Sequence, residues 1–196
     1  MQAKANIHRI AAIAMMTALV FVSNYVQFFI STPFGANTRL HIANGICMLG
    51  ALLLGPTGGG LAAGLGSFLY DLTNPAYAAS SWVTFIMKFL LAFIGGLVVY
   101  GIRNGGSDRS VSLLRRILGA TAGTLSYVAM YVAKQYIEQC LIMGYEVNTV
   151  MLSVLTINLP VSLINAAIAV PVSVLLYGAV SRVLKKSDIS ERMRIR

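Results

Sequence analysis

GALLLGPTGGGLAAGLGSFLYDLTNP, residues 50–75, is an apolar stretch with a proline and a glycine cluster in its middle and an aspartate near its end. Proline lacks a backbone donor and glycine tolerates positive φ, so this composition interrupts a continuous helical span. We predict a helix–turn–helix hairpin in which Pro56 ends the first helix and Gly55, with Gly58 to Gly60, forms the turn. Asp71 then ends the second helix where its charge can reach a polar environment.

The rest of the chain has the composition of a membrane protein. Of its 196 residues, 57% are hydrophobic and only 11% are charged, and the mean hydropathy is +0.76. One bilayer crossing takes about 20 apolar residues, so the chain has room for six helices with short loops. We predict an all-α integral protein of the cell (plasma) membrane, a single multi-pass domain over residues 1–196, with helices at about 10–30, 40–54, 60–70, 82–102, 117–140 and 151–183.

The distribution of positive charge predicts the orientation. The net charge is +9, and twelve of the fifteen Lys and Arg residues lie near the two termini or in segment 103–116. This is the positive-inside pattern, which places the N- and C-termini in the cytoplasm and the loops at about 31–41, 71–81 and 141–149 outside. Because these basic residues flank predicted spans, we expect them to contact the anionic headgroups of the lipid bilayer, and we expect no nucleic-acid partner.

Several chemical functions are excluded by missing residues. Gly55 to Gly60 matches half of a phosphate-binding loop, but Leu61 and Ala62 stand where Lys and Ser/Thr are needed. Cys47 and Cys140 lie in apolar runs, and the sequence has no Cys/His cluster with metal-ligand spacing. We therefore predict no catalytic residues, no metal and no cofactor, and we do not expect an enzyme.

Polar residues at membrane depth are the candidate binding residues, because burying them is costly. Lys88, Lys134 and Asn158 lie at a similar depth below the predicted outer ends of their helices, at about 1.5 Å per residue. Together with polar residues of the loops above, they predict an outward-facing cup with aromatic walls. The candidate substrate-binding residues are Arg39, Asn44, Asp71, Asn74, Tyr77, Trp82, Lys88, Tyr131, Lys134, Glu138, Asn158 and Ser162.

Structural roles remain open for the same residues. Lys134 and Glu138, one helical turn apart, are equally consistent with an ion pair that lowers the cost of burial. Lys88 is also consistent with snorkelling to the interface, Asp71 with a loop contact, and the Asn and Ser residues with bonds between helices.

Two pairs of small residues at four-residue spacing predict close helix contacts. Ala14 and Ala18 form one step, and Gly60 and Gly64 form the other. Such steps let another helix approach closely in lipid. The spacing fits packing within the bundle as well as docking of a separate membrane protein.

Three stretches resemble a known family: AIAMMTAL (12–19), GALLLGPTGGGLAAGLGSFLYDL (50–72) and FIMKFLLAFIGGLV (85–98). They are similar to the substrate-binding S components of energy-coupling-factor (ECF) vitamin transporters. The resemblance implies capture of a water-soluble vitamin or related micronutrient at the outer face. It also implies delivery inward with a transmembrane coupling subunit, which Ala14 and Ala18 would contact, and two ATP-hydrolysing subunits. It does not identify the vitamin.

A second function competes with this one. Lys88, Lys134 and Glu138 are placed so that they also fit the proton relay of an autonomous small-molecule carrier driven by an ion gradient. Transport by the purified chain alone, without ATP-hydrolysing partners, would distinguish that carrier from a subunit of a larger transporter.

Overall fold

The computed structural model describes residues 2–31, 37–101 and 111–186, which form a mostly helical bundle with one short β-hairpin. Helix α1 (Gln2–Ser23) leads into antiparallel strands β1 (Gln27–Ser31) and β2 (Asn37–His41). The remaining helices are α2 (Ala43–Leu72), α3 (Ser81–Tyr100), α4 (Leu113–Tyr136), α5 (Val147–Ser153) and α6 (Leu159–Lys186). A 3₁₀ turn (Ala78–Ser80) precedes α3, a π-helical segment (Ile137–Ile142) extends α4, and another (Val154–Asn158) joins α5 to α6. Residues 103–110 of the basic segment 103–116, and the tail at 187–196, lie outside the described residues.

The prediction of a first helix reaching residue 30 is wrong. Helix α1 ends at Ser23, and the following apolar residues form β1, which pairs Gln27 with His41 and Phe29 with Arg39. The Ser23 hydroxyl and the Asn24 amide both donate to the carbonyl of Val20, at 2.8 Å each. Such local side-chain bonds compete with continuation of a helix. The fold is therefore not all-α, because part of the predicted first outer loop is a strand.

The chain reversal in the quoted stretch is present at Gly55, which has φ 77° inside α2. A Cβ added to Gly59 would lie 2.3 Å from the Cα of Ala51, whereas a straight helix would separate these residues by about 12 Å. Helix α2 is thus two antiparallel arms that meet at Gly55. Pro56 begins the second arm instead of ending the first, because a missing N–H costs nothing at the first position of a helix.

Three described helical segments are long and apolar enough to cross a membrane by length and composition: Ala43–Leu72, Ala78–Tyr100 and Val147–Val183. The first of these is the folded hairpin of α2. Its arms are about 18 and 25 Å long at about 1.5 Å per residue, so each is shorter than or close to the thickness of the hydrocarbon core. The largest fully buried apolar side chains, Met48, Leu52 and Leu91, lie on the first arm and on α3.

The two small-residue steps have different environments. A Cβ on Gly60 or Gly64 would lie about 3 Å from the rings of Phe89 or Phe85 of α3, so this step packs inside the bundle. Ala14 and Ala18 of α1 are exposed in the described chain. The spacing predicted a close contact in both cases, and the fold uses only the glycine step for internal packing.

Candidate functional site

A polar cavity lies at the end of the bundle that carries β1, β2 and the last turn of α2, here called the strand end. Its walls come from four helices (α2, α3, α4 and α6), from β2 and from Asn24, which directly follows α1. The volume open to the centre of a water molecule is about 40 Å³, and one water needs roughly 10–15 Å³ by this measure. The cavity therefore has room for a few waters, and a larger ligand requires its walls to move apart. The lining residues are Asn24, Thr38, Arg39, His41, Asp71, Thr84, Lys88, Tyr127, Tyr131, Ser162 and Asn165.

Lys88 supplies a positive charge on the cavity wall. Its side chain is only 2% exposed, and its ammonium group donates a hydrogen bond to the amide oxygen of Asn44. The Nζ atom also lies 4.6 Å from the ring centre of Tyr127. A buried ammonium needs such partners to offset its lost hydration. Lys88 is thus held at the cavity by α2 and α4 and does not extend to the surface.

Arg39 and Asp71 connect strand β2 to the end of α2. The guanidinium Nη1 lies 3.5 Å from Oδ1 of Asp71, whose residue is 2% exposed. The guanidinium carbon lies 4.1 Å from the ring centre of Tyr77. Among the described residues, Oδ2 of Asp71 has no hydrogen-bond partner. The expectation that Asp71 points into a polar site therefore agrees with its position, and Arg39 is its charged neighbour.

Two further side chains hold β2 against the helices by hydrogen bonds. Asn165 of α6 accepts a hydrogen bond from the His41 backbone N–H at 2.9 Å and donates to the Arg39 carbonyl at 2.7 Å. The Tyr131 hydroxyl of α4 donates to Oγ1 of Thr38 at 3.1 Å. One wall of the cavity is therefore strand β2, which separate hydrogen bonds hold against α4 and α6. This wall can open if those hydrogen bonds break.

His41, which precedes the first membrane-length segment, is neutral in this site. Burial lowers the pKa of His41 well below its usual range, and the positive charges of Lys88 and Arg39 lower it further. Its Nδ1 has no hydrogen-bond partner in the described part of the chain. The ring thus contributes a neutral acceptor or donor to the cavity.

The structure brings five of the predicted site residues to the cavity wall: Arg39, Asp71, Lys88, Tyr131 and Ser162. Asn44 and Tyr77 contact those residues without lining the cavity themselves.

The other predicted residues lie elsewhere. Asn74 accepts a backbone hydrogen bond from Ala76 in the loop before α3, and Trp82 is 61% exposed. Lys134 and Glu138 pair with each other at 3.1 Å and do not line the cavity. Asn158 is fully buried but also lies outside the lining.

The sequence did not point to Asn24, Thr38, His41 or Thr84 as site residues. Arg39 and His41 are two apart on β2, and residues at this spacing share one face of a strand. The signal was therefore the strand itself, and the sequence analysis had placed residues 37–41 in an outer loop.

The arrangement is suited to binding. The described residues contain no group of three or more His, Cys, Asp or Glu placed to hold a metal ion. The cavity combines stacked Tyr127 and Tyr131 rings, whose centres are 6.2 Å apart, with two cations and several amide and hydroxyl groups. Aromatic walls with a few convergent polar groups recognise a small, flat, polar molecule.

Comparisons with known proteins identify the family of the chain. Residues 4–182 match the model of a family described as "ECF-type riboflavin transporter, S component". A solved structure of the S component of a bacterial ECF transporter has a similar fold, with a TM-score of 0.56 and 21% sequence identity. That likeness covers 90% of this chain and 97% of the other. No curated protein matches the sequence significantly.

Proposed function

Because the chain belongs to the family of ECF-type riboflavin transporter S components, which are substrate-binding membrane subunits without catalytic activity, we propose that it captures riboflavin or a closely related flavin in the strand-end cavity. The family match also bears out the resemblance found in the sequence. The single observation that carries the assignment to this cavity is the convergence of four helices and β2 on one polar, aromatic-walled space.

A flavin ring suits the chemistry of these walls. It is flat and aromatic, and its carbonyl oxygens and ring nitrogens accept hydrogen bonds. Tyr127 and Tyr131 offer aromatic surface, while Lys88 and Arg39 offer charged donors. Charged donors bind such oxygens more strongly than neutral ones. A ring of this size requires β2 to move from the helices, and the polar bonds of Asn165 and Tyr131 to β2 are those that would break and re-form.

The proposed topology has six spans in one membrane domain over residues 1–196, with both termini in the cytoplasm. The two arms of α2 count as two spans in this scheme. Arg115 and Arg116 begin α4, and Tyr127 and Tyr131 lie toward its opposite end. The positive-inside rule then puts the start of α4 in the cytoplasm and the strand-end cavity at the outer face.

The family implies partner subunits of an ECF transporter, and we propose that they are a transmembrane coupling subunit and two ATP-hydrolysing subunits. Ala14 and Ala18 are exposed on α1, beside the large apolar side chains of Met15 and Leu19. A small-residue groove in an apolar face lets a second helix approach closely in the bilayer. This supports docking of the coupling subunit on α1.

The gradient-driven carrier receives less support. A relay would need Lys88, Lys134 and Glu138 to be connected, but Lys134 pairs with Glu138 away from the cavity wall on which Lys88 lies.

The test of substrate capture is ligand binding by the purified full chain in detergent. We expect riboflavin to raise the melting temperature, because a ligand at about a thousandfold excess over its Kd adds roughly 4 kcal/mol of stability. Stacking on tyrosine should also quench flavin fluorescence. The variant Lys88→Met should weaken binding by tenfold or more, and Trp82→Phe, at an exposed residue outside the lining, is the matched control. Unchanged melting with riboflavin, in protein shown to be free of bound flavin, would refute the proposal.

The test of docking is assembly. Ala14→Phe combined with Ala18→Phe should prevent co-purification with the coupling subunit and abolish uptake, while riboflavin binding is retained. Ala179→Phe, at an exposed residue of α6, is the control. Loss of riboflavin binding in the α1 variant would contradict the assignment.

A further inference from the structure

Three buried polar side chains beyond the cavity have no hydrogen-bond partners among the described residues. They are Gln139, which is 1% exposed, Ser153, which is 4% exposed, and Asn158, which is fully buried. All their side-chain donor and acceptor atoms are unpartnered. Buried polar groups in proteins are nearly always hydrogen-bonded, and an unmet one is costly. The cost is larger at membrane depth, where lipid offers no alternative partner.

Two of these residues, Gln139 and Asn158, continue rows of polar side chains, here called ladders, that begin in the cavity. On α4, Tyr131 lines the cavity, Gln135 donates to the Tyr131 hydroxyl at 3.3 Å, and Gln139 follows one turn later. On the other side, Ser162 of α6 lines the cavity, and Asn158 precedes it by one turn. Both ladders therefore extend from the cavity in the same direction, away from the Gly55 turn.

The helical segments that carry the two ladders are adjacent and irregular. Gln139 lies in the π-helical segment that extends α4, and Asn158 lies in the one between α5 and α6. The first segment packs against α5, and α4 packs against the second. π-Helical turns are rare in proteins, and those that occur are often found at functional sites. Two of them, each with a buried and unpartnered amide, border the same packed region.

We propose that Gln139, Ser153 and Asn158 form a second compartment of the substrate site, which binds the neutral polyhydroxylated side chain of the substrate. This rests on the proposed function and adds a place for the part of the molecule that the aromatic cavity does not hold.

The chemistry of the compartment selects that occupant. Two amides and one hydroxyl offer both donors and acceptors, which match the hydroxyl groups of a polyol. None of the three carries a charge, and the nearby ions Lys134 and Glu138 are paired with each other at 3.1 Å. An apolar chain would leave all of these groups unpartnered, and an ionic group would find no counter-charge among the three.

The test compares two ligands that share one ring. Riboflavin carries the polyol side chain, and lumiflavin has the same ring with a methyl group in its place. Their dissociation constants are measured with the purified full chain for the wild type, Gln139→Met and Asn158→Leu, and the melting temperature of each ligand-free protein is recorded. Ser126→Ala is the matched control, because the Ser126 hydroxyl bonds its own helix at the Gly123 carbonyl at 2.7 Å.

We expect each variant to weaken riboflavin binding about tenfold, the effect of roughly one lost hydrogen bond in a site that excludes water. Lumiflavin binding should change by less than about twofold. The ligand-free variants should melt at the same or a higher temperature, because each replacement removes an unpartnered polar group. The control should match the wild type in all three measurements.

The other outcomes overturn the compartment. Equal losses for both ligands, or a lower melting temperature without ligand, would show that the amides serve the fold. Unchanged affinity for both ligands would show that the compartment holds only water. A wild type that binds both flavins equally would refute the polyol site while leaving flavin capture intact. A wild type that binds neither would refute both proposals.

Discussion

Replacing Asn165 with leucine should open the cavity in the absence of any ligand. The Asn165 side chain holds two backbone groups of β2, the His41 N–H at 2.9 Å and the Arg39 carbonyl at 2.7 Å. Leucine has a similar size but can bond neither group. The strand would keep the Tyr131–Thr38 bond and the Arg39–Asp71 ion pair. The variant therefore weakens the attachment of β2 to the helices without removing all of the interactions that hold it.

The size of the effect follows from the two lost bonds. A neutral hydrogen bond contributes about 1 kcal/mol net, and more where a partner is left buried and unmet. Two bonds therefore amount to about 2 kcal/mol in favour of the closed strand. Since about 1.4 kcal/mol corresponds to a factor of ten, the open population should rise roughly thirtyfold.

Amide hydrogen exchange in the ligand-free protein measures this opening directly. Protection of the amides at 38–41 should fall about thirtyfold in Asn165→Leu, and the amides of α3 should keep their protection. Ser162→Ala is the matched control, because Ser162 lines the same cavity on the same helix. Equal protection of β2 in Asn165→Leu and the wild type would show that the hydrogen bonds of Asn165 do not hold β2 against the helices. A loss of ligand affinity alone would not support it, since Asn165 also lines the cavity.

Three other changes give separate tests. Gly59→Ala should destabilise the protein in thermal unfolding by about 3 kcal/mol or more, because the new Cβ would lie 2.3 Å from the Ala51 backbone. Gly178→Ala is the control: a Cβ there would have no atom within 4 Å, so the protein should unfold at the same or a slightly higher temperature. Lys134→Met should change stability by less than about 1 kcal/mol and flavin affinity by less than twofold, because its ion pair is partly exposed; a tenfold loss of affinity would instead place Lys134 on the ligand. The pKa of His41 is lowered in the folded protein, so below about pH 6.5 the unfolded chain binds a proton that the folded chain resists. The melting temperature should therefore fall as the pH drops from 7.5 to 5, and a slope that persists in His41→Gln would contradict this assignment.

The helices of the bundle were largely predictable, and the errors have local causes. Glycine and proline chemistry placed the reversal within residues 55–60, and the structure has it at Gly55. Hydropathy failed at residues 24–30, where a short apolar run fits a strand as well as a helix. The deciding facts there are the pairing of β1 with β2 and the back-bonding of Ser23 and Asn24 to Val20, and both depend on the three-dimensional surroundings.

The sequence predicted which helices carry the candidate site and how deep in the membrane its side chains lie. Asp71, Lys88, Tyr131 and Ser162 were chosen because buried polar residues in lipid are expensive, and the fold brings all four to one cavity. Strand residues such as Thr38 were missed because no strand was expected. The environment of Ala14 and Ala18 was also not decidable from spacing, since the Gly60 step has the same spacing and packs internally.

Helical periodicity alone does not distinguish Glu138 from Gln139 as the side chain that is buried in the bundle. In a regular α-helix, Glu138 lies two turns from Tyr131 and shares its face. The π-helical segment at Ile137–Ile142 holds more residues per turn, which shifts the following side chains around the axis. Gln139 is consequently buried at 1% exposure, while Glu138 is 31% exposed and pairs with Lys134. A partly exposed ion pair and a buried neutral amide fit the proposed site for an uncharged polyol, since a buried carboxylate at that position would need a positive partner of its own.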